Sequence, residues 1–287
     1  MIITGATRVY GLIGEPVAHS LSPALMNDAF ARLNVDAVYT AWPVAPGAID
    51  DALAGLAALG VAGVSVTYPH KAAVLCQLVD CSAAVTAIGA ANVLTLGSDG
   101  HYRGDNTDAD GTALALRELL GWEVAGRRVV ILGAGGAGRA AAHGLLAVGA
   151  GRVDILVREP ARAEPDLAGL RIAHPGATLT VAALGSADAA TSLHAADLVV
   201  QATPVGLADP AAAPLISPDA APHAVAFELV YGARPTAFAA AWRRTGRACL
   251  DGRDLLAAQA HLALRIWLGS APDLASMRRV IAEESAR

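Results

Sequence analysis

Aromatic residues are scarce, at 4% of 287 residues. Alanine and branched aliphatics must therefore supply most of the packing. Charge is also sparse, at 16%, with a net charge of −5 and no basic stripe. That gives little ground for binding nucleic acid or an anionic membrane surface. The three cysteines, Cys76, Cys81 and Cys249, are odd in number and lack a C-x-x-C spacing. Neither a disulfide framework nor a zinc site is expected, and no metal is assigned. All three read as small buried apolar residues in a reducing cytoplasm. Long apolar runs are missing too. Mean hydropathy is +0.45, yet Gly, Pro or a charge breaks each run short of the ~20 residues that a spanning helix needs. The start, MIITGATRVYGLIG, has no basic segment ahead of a long apolar one, so no signal peptide is expected.

What is present is a hydrophobic fraction of 54%, ample for a core. Short apolar strands alternate with helical segments. Strands are expected at 8–14, 37–44, 63–68, 91–96 and 101–104. Helices are expected at 22–33 (with Ser22 as N-cap), 46–59, 69–79 and 108–120 (capped by Asp108 or Asp110). Further strands follow at 128–132, 153–157, 178–182, 198–202 and 225–229. Helices at 139–148, 255–268 and 273–284 accompany them. Such alternation predicts an α/β fold with largely parallel sheets. Two α/β domains are expected, with a cleft between them. One is an N-terminal substrate domain, 1–107 plus the returning 252–287. The other, 108–251, is a Rossmann dinucleotide-binding domain.

GAGGAG, Gly133 to Gly138, lies directly after the strand at 128–132 and opens a helix. Gly133 permits a tight turn, Gly135 lets the backbone approach a pyrophosphate, and Gly138 allows close helix–sheet packing. The free N–H groups and dipole at the helix start favour phosphate. The next strand runs into Arg158-Glu159-Pro160-Ala161-Arg162. Arginine there accommodates the 2′-phosphate of NADP, while an acidic group favours NAD. Two arginines against one glutamate favour NADP, with NAD as the alternative.

In the first 110 residues, polar groups fall at strand ends or helix starts: Ser20, Ser22, Thr67, Lys71, Asn92 and Asp108. Hydroxyl, amide, ammonium and carboxylate groups together suit a small polyhydroxylated acid. Interconverting an alcohol and a ketone moves a hydride and a proton, and the proton needs a positioned acid/base. Lys71 beside a carboxylate, Asp108, could fill that role.

The motifs GEPVAHSLSP, VTYPHK, GAAN, GDNTDADG, GAGGAG, QATPVGL, FELVY and DGRDLLAAQ together resemble the shikimate dehydrogenase family, including the quinate/shikimate dehydrogenases. The resemblance runs nearly end to end. It implies reversible reduction of 3-dehydroshikimate to shikimate with NADPH or NADH, or turnover of quinate or another cyclic hydroxy acid. It implies that Ser20 and Ser22 hold the substrate carboxylate. Thr67, Lys71, Asn92, Asp108 and Gln259 resemble the residues around the ring hydroxyls, with Lys71 and Asp108 similar to the catalytic pair. Tyr231 resembles a tyrosine lining the same pocket. Gly133, Ala134, Gly135, Gly136, Ala137 and Gly138 look like the pyrophosphate loop. Arg158, Glu159, Arg162 and Thr203 join the cofactor set. Asp254 and Leu255 stand where the family more often has Gly-Met. A non-catalytic cofactor binder is the competing class, and Lys71 with Asp108 argues against it. The partners implied are small molecules, with no nucleic acid or membrane, in a monomer or homodimer.

Overall fold

A computed structural model describes residues 2–232 and 234–285. The chain divides into two compact units, one running to Thr107 and resuming at Leu256, the other spanning Asp108–Leu255.

In the first unit, strands β1 (Arg8–Gly14), β2 (Ala37–Pro43), β3 (Gly63–Val66), β4 (Asp80–Cys81), β5 (Val93–Leu96) and β6 (Tyr102–Asp105) form one sheet in the order β2-β1-β3-β5-β6-β4. β1 pairs in parallel with β2 and β3, while β5 runs against both neighbours. The sheet is therefore mixed. The β5–β6 hairpin turns at Gly97–Gly100, where Gly97 donates its N–H to His101 O and Gly100 takes a φ of +78°. Helices α1 (Ser22–Arg32), α2 (Ile49–Ala58) and α3 (Ala83–Ile88) belong to this unit. Its core gathers Ile13, Leu53, Val64, Val66, Leu94 and Tyr102.

In the second unit, β7 (Arg128–Leu132), β8 (Arg152–Val157), β9 (Leu179–Ala183), β10 (Leu198–Gln201), β11 (Val225–Glu228) and β12 (Cys249–Leu250) form an all-parallel sheet. The order β12-β11-β10-β7-β8-β9 is that of a doubly wound dinucleotide-binding sheet. Its helices are α4 (Thr107–Leu120), α5 (Gly136–Ala147), α6 (Pro160–Ala163), α7 (Ala168–Ala173), α8 (Ala187–His194) and α9 (Ala237–Arg244). Val130, Leu132, Val199, Ala226, Phe238 and Trp242 sit in its core.

Helix α10 (Gly252–Leu268) starts in the second unit and ends in the first, followed by α11 (Leu274–Ser285). Trp267 anchors it. The indole lies against Tyr10 at 5.1 Å between ring centroids and donates to Leu94 O at 3.1 Å. A Cβ on Gly63 would sit 2.6 Å from the same ring, so glycine makes room for it.

Several expectations are corrected. The helix expected at 69–79 is only a 3₁₀ turn, Ala73–Gln77. A turn closed by His70 N–H donating to Thr67 O diverts the chain first, and the buried His70 ring is tied to Val44 O at 2.7 Å. Lys71 therefore sits in a loop. Helix α1 begins one residue early, so Ser22 is its first residue and not its cap; Leu21 holds the cap position. Asp108 and Asp110 lie within the first turn of α4, not ahead of it. The cysteines are less buried than expected: Cys76 is exposed on the 3₁₀ turn, and Cys81 and Cys249 are half-buried.

Candidate active site

In the first unit, the sequence-predicted polar residues gather at the C-terminal end of β1 and β3. Parallel strands deliver their following loops to the same edge. Glu15, just past β1, donates its N–H to Tyr68 O, just past β3. A Cβ on Gly14 would sit 2.3 Å from the Thr67 methyl, so glycine lets these loops approach. Ser20 and Ser22 lie between β1 and α1. Ser20 Oγ accepts from Ser22 N–H at 3.2 Å, taking the role of a capping side chain.

Asn92 is the junction. Its carbonyl accepts Val66 N–H and its own N–H donates to Asp105 O. Its side chain is 2% exposed. Oδ1 accepts Thr107 N–H at 2.7 Å, while Nδ2 donates to Thr107 Oγ1 and Gln259 Oε1, both at 3.1 Å. The preceding residue, Ala91, donates its N–H to Lys71 O. One short segment thus ties down the backbone of Lys71, the residue before Asp108, and Gln259 of α10. Asn106, which the sequence reading passed over, is buried and donates to Ala90 O at 2.8 Å. The motif spelling GDNTD contained that signal, since an amide at a strand–helix junction has a backbone to satisfy.

Lys71 is half-buried. It is also the only lysine in the chain, one of 21 basic Lys and Arg residues. Composition alone carried this signal. Arginine stays protonated at every working pH and cannot exchange a proton, so an amine at this one position is chemically distinctive.

In the second unit, Asp108 is 7% exposed. The turn that carries it lies close against α5, because a Cβ on Gly144 would fall 2.0 Å from Ala109 O. The glycine loop occupies the switch point between β7 and β10. Gly133 ends β7 with a φ of +102°, accessible to glycine without penalty. A Cβ there would meet the Thr203 methyl, beyond β10, at 2.9 Å. A Cβ on Gly138 would lie 2.1 Å from Gly133 O, so the helix packs onto the loop as only glycine permits. Gly135 is different. It has a negative φ, and nothing lies within 4 Å of where a Cβ would be. Its open face adjoins the uncapped start of a 12-residue helix, α5. The N–H groups of Gly136 and Ala137 belong to that first turn, whose dipole favours an anion. The loop therefore fits a pyrophosphate.

Two further residues hold this loop. Arg139 donates to Ala134 O at 3.1 Å and reaches Asp166 at 3.4 Å. Gln201, 2% exposed, accepts from Thr203 N–H and Oγ1 and donates to Val205 O at 3.1 Å. Arg158, Glu159 and Arg162 are all exposed just beyond β8. Glu159 has the extended backbone that a following proline imposes, and its side chain caps nothing.

Tyr231 is half-buried beside a hollow lined by Glu228, Arg234, Thr236, Asp251 and Arg253. Asp254 has a structural reason. Asp251 Oδ1 accepts Arg253 N–H while Asp254 Oδ2 accepts Asp251 N–H, a reciprocal capping box that starts α10. Among the described residues, no group of three potential metal ligands occurs, and no helix is long and apolar enough to cross a membrane.

Residues 12–94 match the model of the shikimate dehydrogenase substrate binding domain. A shikimate dehydrogenase (NADP(+)) of Anaeromyxobacter sp. strain K is 45% identical, with all of both chains covered. One from Citrifermentans bemidjiense is 40% identical over 98% of this chain and 97% of that protein. Among solved structures, shikimate 5-dehydrogenase from Thermus thermophilus, in complex with NADP(H) and shikimate, is 33% identical. It covers 96% of this chain and 99% of that one, at a TM-score of 0.84. With the doubly wound sheet, its glycine loop and the Asn92 junction in place, this chain belongs to the shikimate dehydrogenase family.

Proposed function

We propose that the protein is an NADP-dependent oxidoreductase interconverting 3-dehydroshikimate and shikimate. The observation that carries this reading is the Asn92 junction, which ties Thr107, Gln259 and the Lys71 backbone to one buried amide. The activity and cofactor for which these relatives are named support it.

When bound, NADPH would supply the hydride for reduction and NADP(+) would accept it for oxidation. The chain's own groups manage binding and the proton. Gly133 to Gly138 hold the pyrophosphate, and Arg158 and Arg162 bind a 2′-phosphate through charge-assisted bonds. Ser20 and Ser22 bind the substrate carboxylate. Thr67, Asn92 and Gln259 bind ring hydroxyls, and Tyr231 packs against the ring. During oxidation the Lys71 amine takes the hydroxyl proton, and during reduction its ammonium returns it. The Asp108 carboxylate orients the hydroxyl. Three unpaired thiols accord with a reducing cytoplasm.

The test is a grid of initial rates: shikimate and quinate, each with NADP and NAD. The highest kcat/KM is expected for shikimate with NADP. A higher value for quinate would move the substrate assignment to the quinate/shikimate branch. No turnover in any cell would leave the non-catalytic binder.

A further inference from the structure

Glu228 closes β11 with a carboxylate that is fully buried and outside the chemistry described above. Burial of this kind is rare for a glutamate unless it is well bonded. Oε1 accepts Val230 N–H at 3.1 Å and Oε2 accepts Thr236 Oγ1 at 2.9 Å. Thr236 in turn accepts Ala239 N–H and caps α9. On the other side of Tyr231, Arg253 donates to Gly232 O at 2.7 Å. Val230 O accepts Gly252 N–H, and a Cβ on Gly252 would strike that same carbonyl at 2.8 Å. Tyr231 is therefore bracketed by two fixed backbone anchors, one of them held by a buried anion.

We propose that Glu228 is a positioning residue of the reaction, fixing through Val230 and Thr236 the turn that presents Tyr231. This rests on the reading of Tyr231 as a substrate contact. A carboxylate accepts both bonds with full charge, whereas a carboxylic acid turns one of its oxygens into an O–H donor, which competes with the Thr236 bond. Glu228 is pushed up to about 7 by burial, with Asp251 adding to the rise and the two bonds opposing it. The groups around it are Asp251, itself paired with Arg243; Cys249, whose thiol burial pushes up to about 12; and Tyr231, Arg234 and Arg253 lining the hollow. The bonding of the turn should therefore change between about pH 8 and 6.

The experiment compares wild type, Glu228→Gln and Glu228→Ala by steady-state kinetics across that range, by NADPH binding, and by amide exchange at Val230. Glu228→Gln imitates the neutral acid. It should raise the KM for shikimate roughly tenfold at high pH, the scale of a small misplacement of a binding group. NADPH affinity should stay unchanged. Its kcat/KM should lack the Glu228-dependent decline between about pH 8 and 6 that is expected of wild type. Glu228→Ala should exchange Val230 N–H faster. Kinetics and pH profile of Glu228→Gln matching wild type would overturn the proposal, as would unchanged exchange in Glu228→Ala. If Glu228→Ala fails to fold, Glu228→Gln decides alone. If wild type fails to turn over shikimate, the functional reading fails, and the exchange measurement still decides whether Glu228 holds the turn.

Discussion

Asn92 and Gln259 stand 167 residues apart in the chain, and the amide of the first donates to the amide of the second at 3.1 Å. The bond ties the returning helix to the strand start that also holds Thr107. It joins two residues that the family resemblance placed around the same ring hydroxyls into one polar constellation. Replacing Asn92 with Ala leaves a buried Thr107 N–H without its acceptor, at a cost of about 1–3 kcal/mol. The thermal midpoint should fall by several degrees and shikimate affinity with it. A midpoint equal to wild type would contradict the junction.

Lys71→Ala should lower turnover by roughly 10²–10⁴-fold, the usual contribution of a general acid/base. NADPH affinity and melting temperature should change little. Lys71→Arg should rescue almost nothing, because a guanidinium does not release its proton. Lys71 carries the chain's only side-chain amine, so reductive methylation followed by mass spectrometry reads this position cleanly. Shikimate and NADP together should slow its labelling. Turnover of Lys71→Ala within threefold of wild type would remove Lys71 from the mechanism.

The two serines should separate. Ser20 Oγ, not Ser22 Oγ, supports the helix start. Ser20→Ala should therefore cost about 1 kcal/mol of stability as well as raise KM for shikimate. Ser22→Ala should raise KM with a smaller change in melting. Equal KM values in wild type and both variants would place the substrate carboxylate elsewhere.

Arg158→Ala should lower the kcat/KM ratio of NADP over NAD, since each charge-assisted bond to a 2′-phosphate contributes about 1.5–3 kcal/mol. Glu159→Thr should raise the ratio by removing a charge that repels the phosphate. The check is initial rates with both cofactors. A ratio unmoved by Arg158→Ala would make the arginines plain surface charges.

His143 of α5 and His174 beyond α7 share a 3.0 Å bond between ring nitrogens. Burial lowers the pKa of both, and for His143 the neighbouring His174 lowers it further, against the pull of Asp110. A depressed histidine favours the neutral form in the folded state. Its stability contribution is present above the unfolded value of 6.5 and is lost as pH falls below it. Between about pH 8 and 5.5 the histidine pair should thus lower the thermal midpoint, against Glu228, whose raised pKa stabilises the fold as pH falls. The midpoint of His174→Gln should fall less, or rise more, than that of wild type. An identical pH dependence in the variant would assign the sensitivity to other groups.

Much was determined by the sequence alone, and for a local reason. The strand at 128–132, the glycine loop and the following helix form one contiguous segment, so their chemistry is legible residue by residue. The arginines after β8 are equally local. The family motifs, each short and contiguous, were legible for the same reason. Tertiary structure decided the rest. Lys71 left its expected helix because Thr67 and His70 close a turn, and because the His70 ring reaches Val44, 26 residues away. Ser22 lost its capping role to Ser20 because α1 begins one residue earlier. Glu228, Gln201 and Asn106 lie inside the family motifs, yet the letters alone gave these side chains no role. Their importance lies in burial and in bonds to backbone groups whose positions only the folded chain establishes. Local propensity acts over a few residues, whereas a buried polar group must satisfy whatever the fold brings beside it.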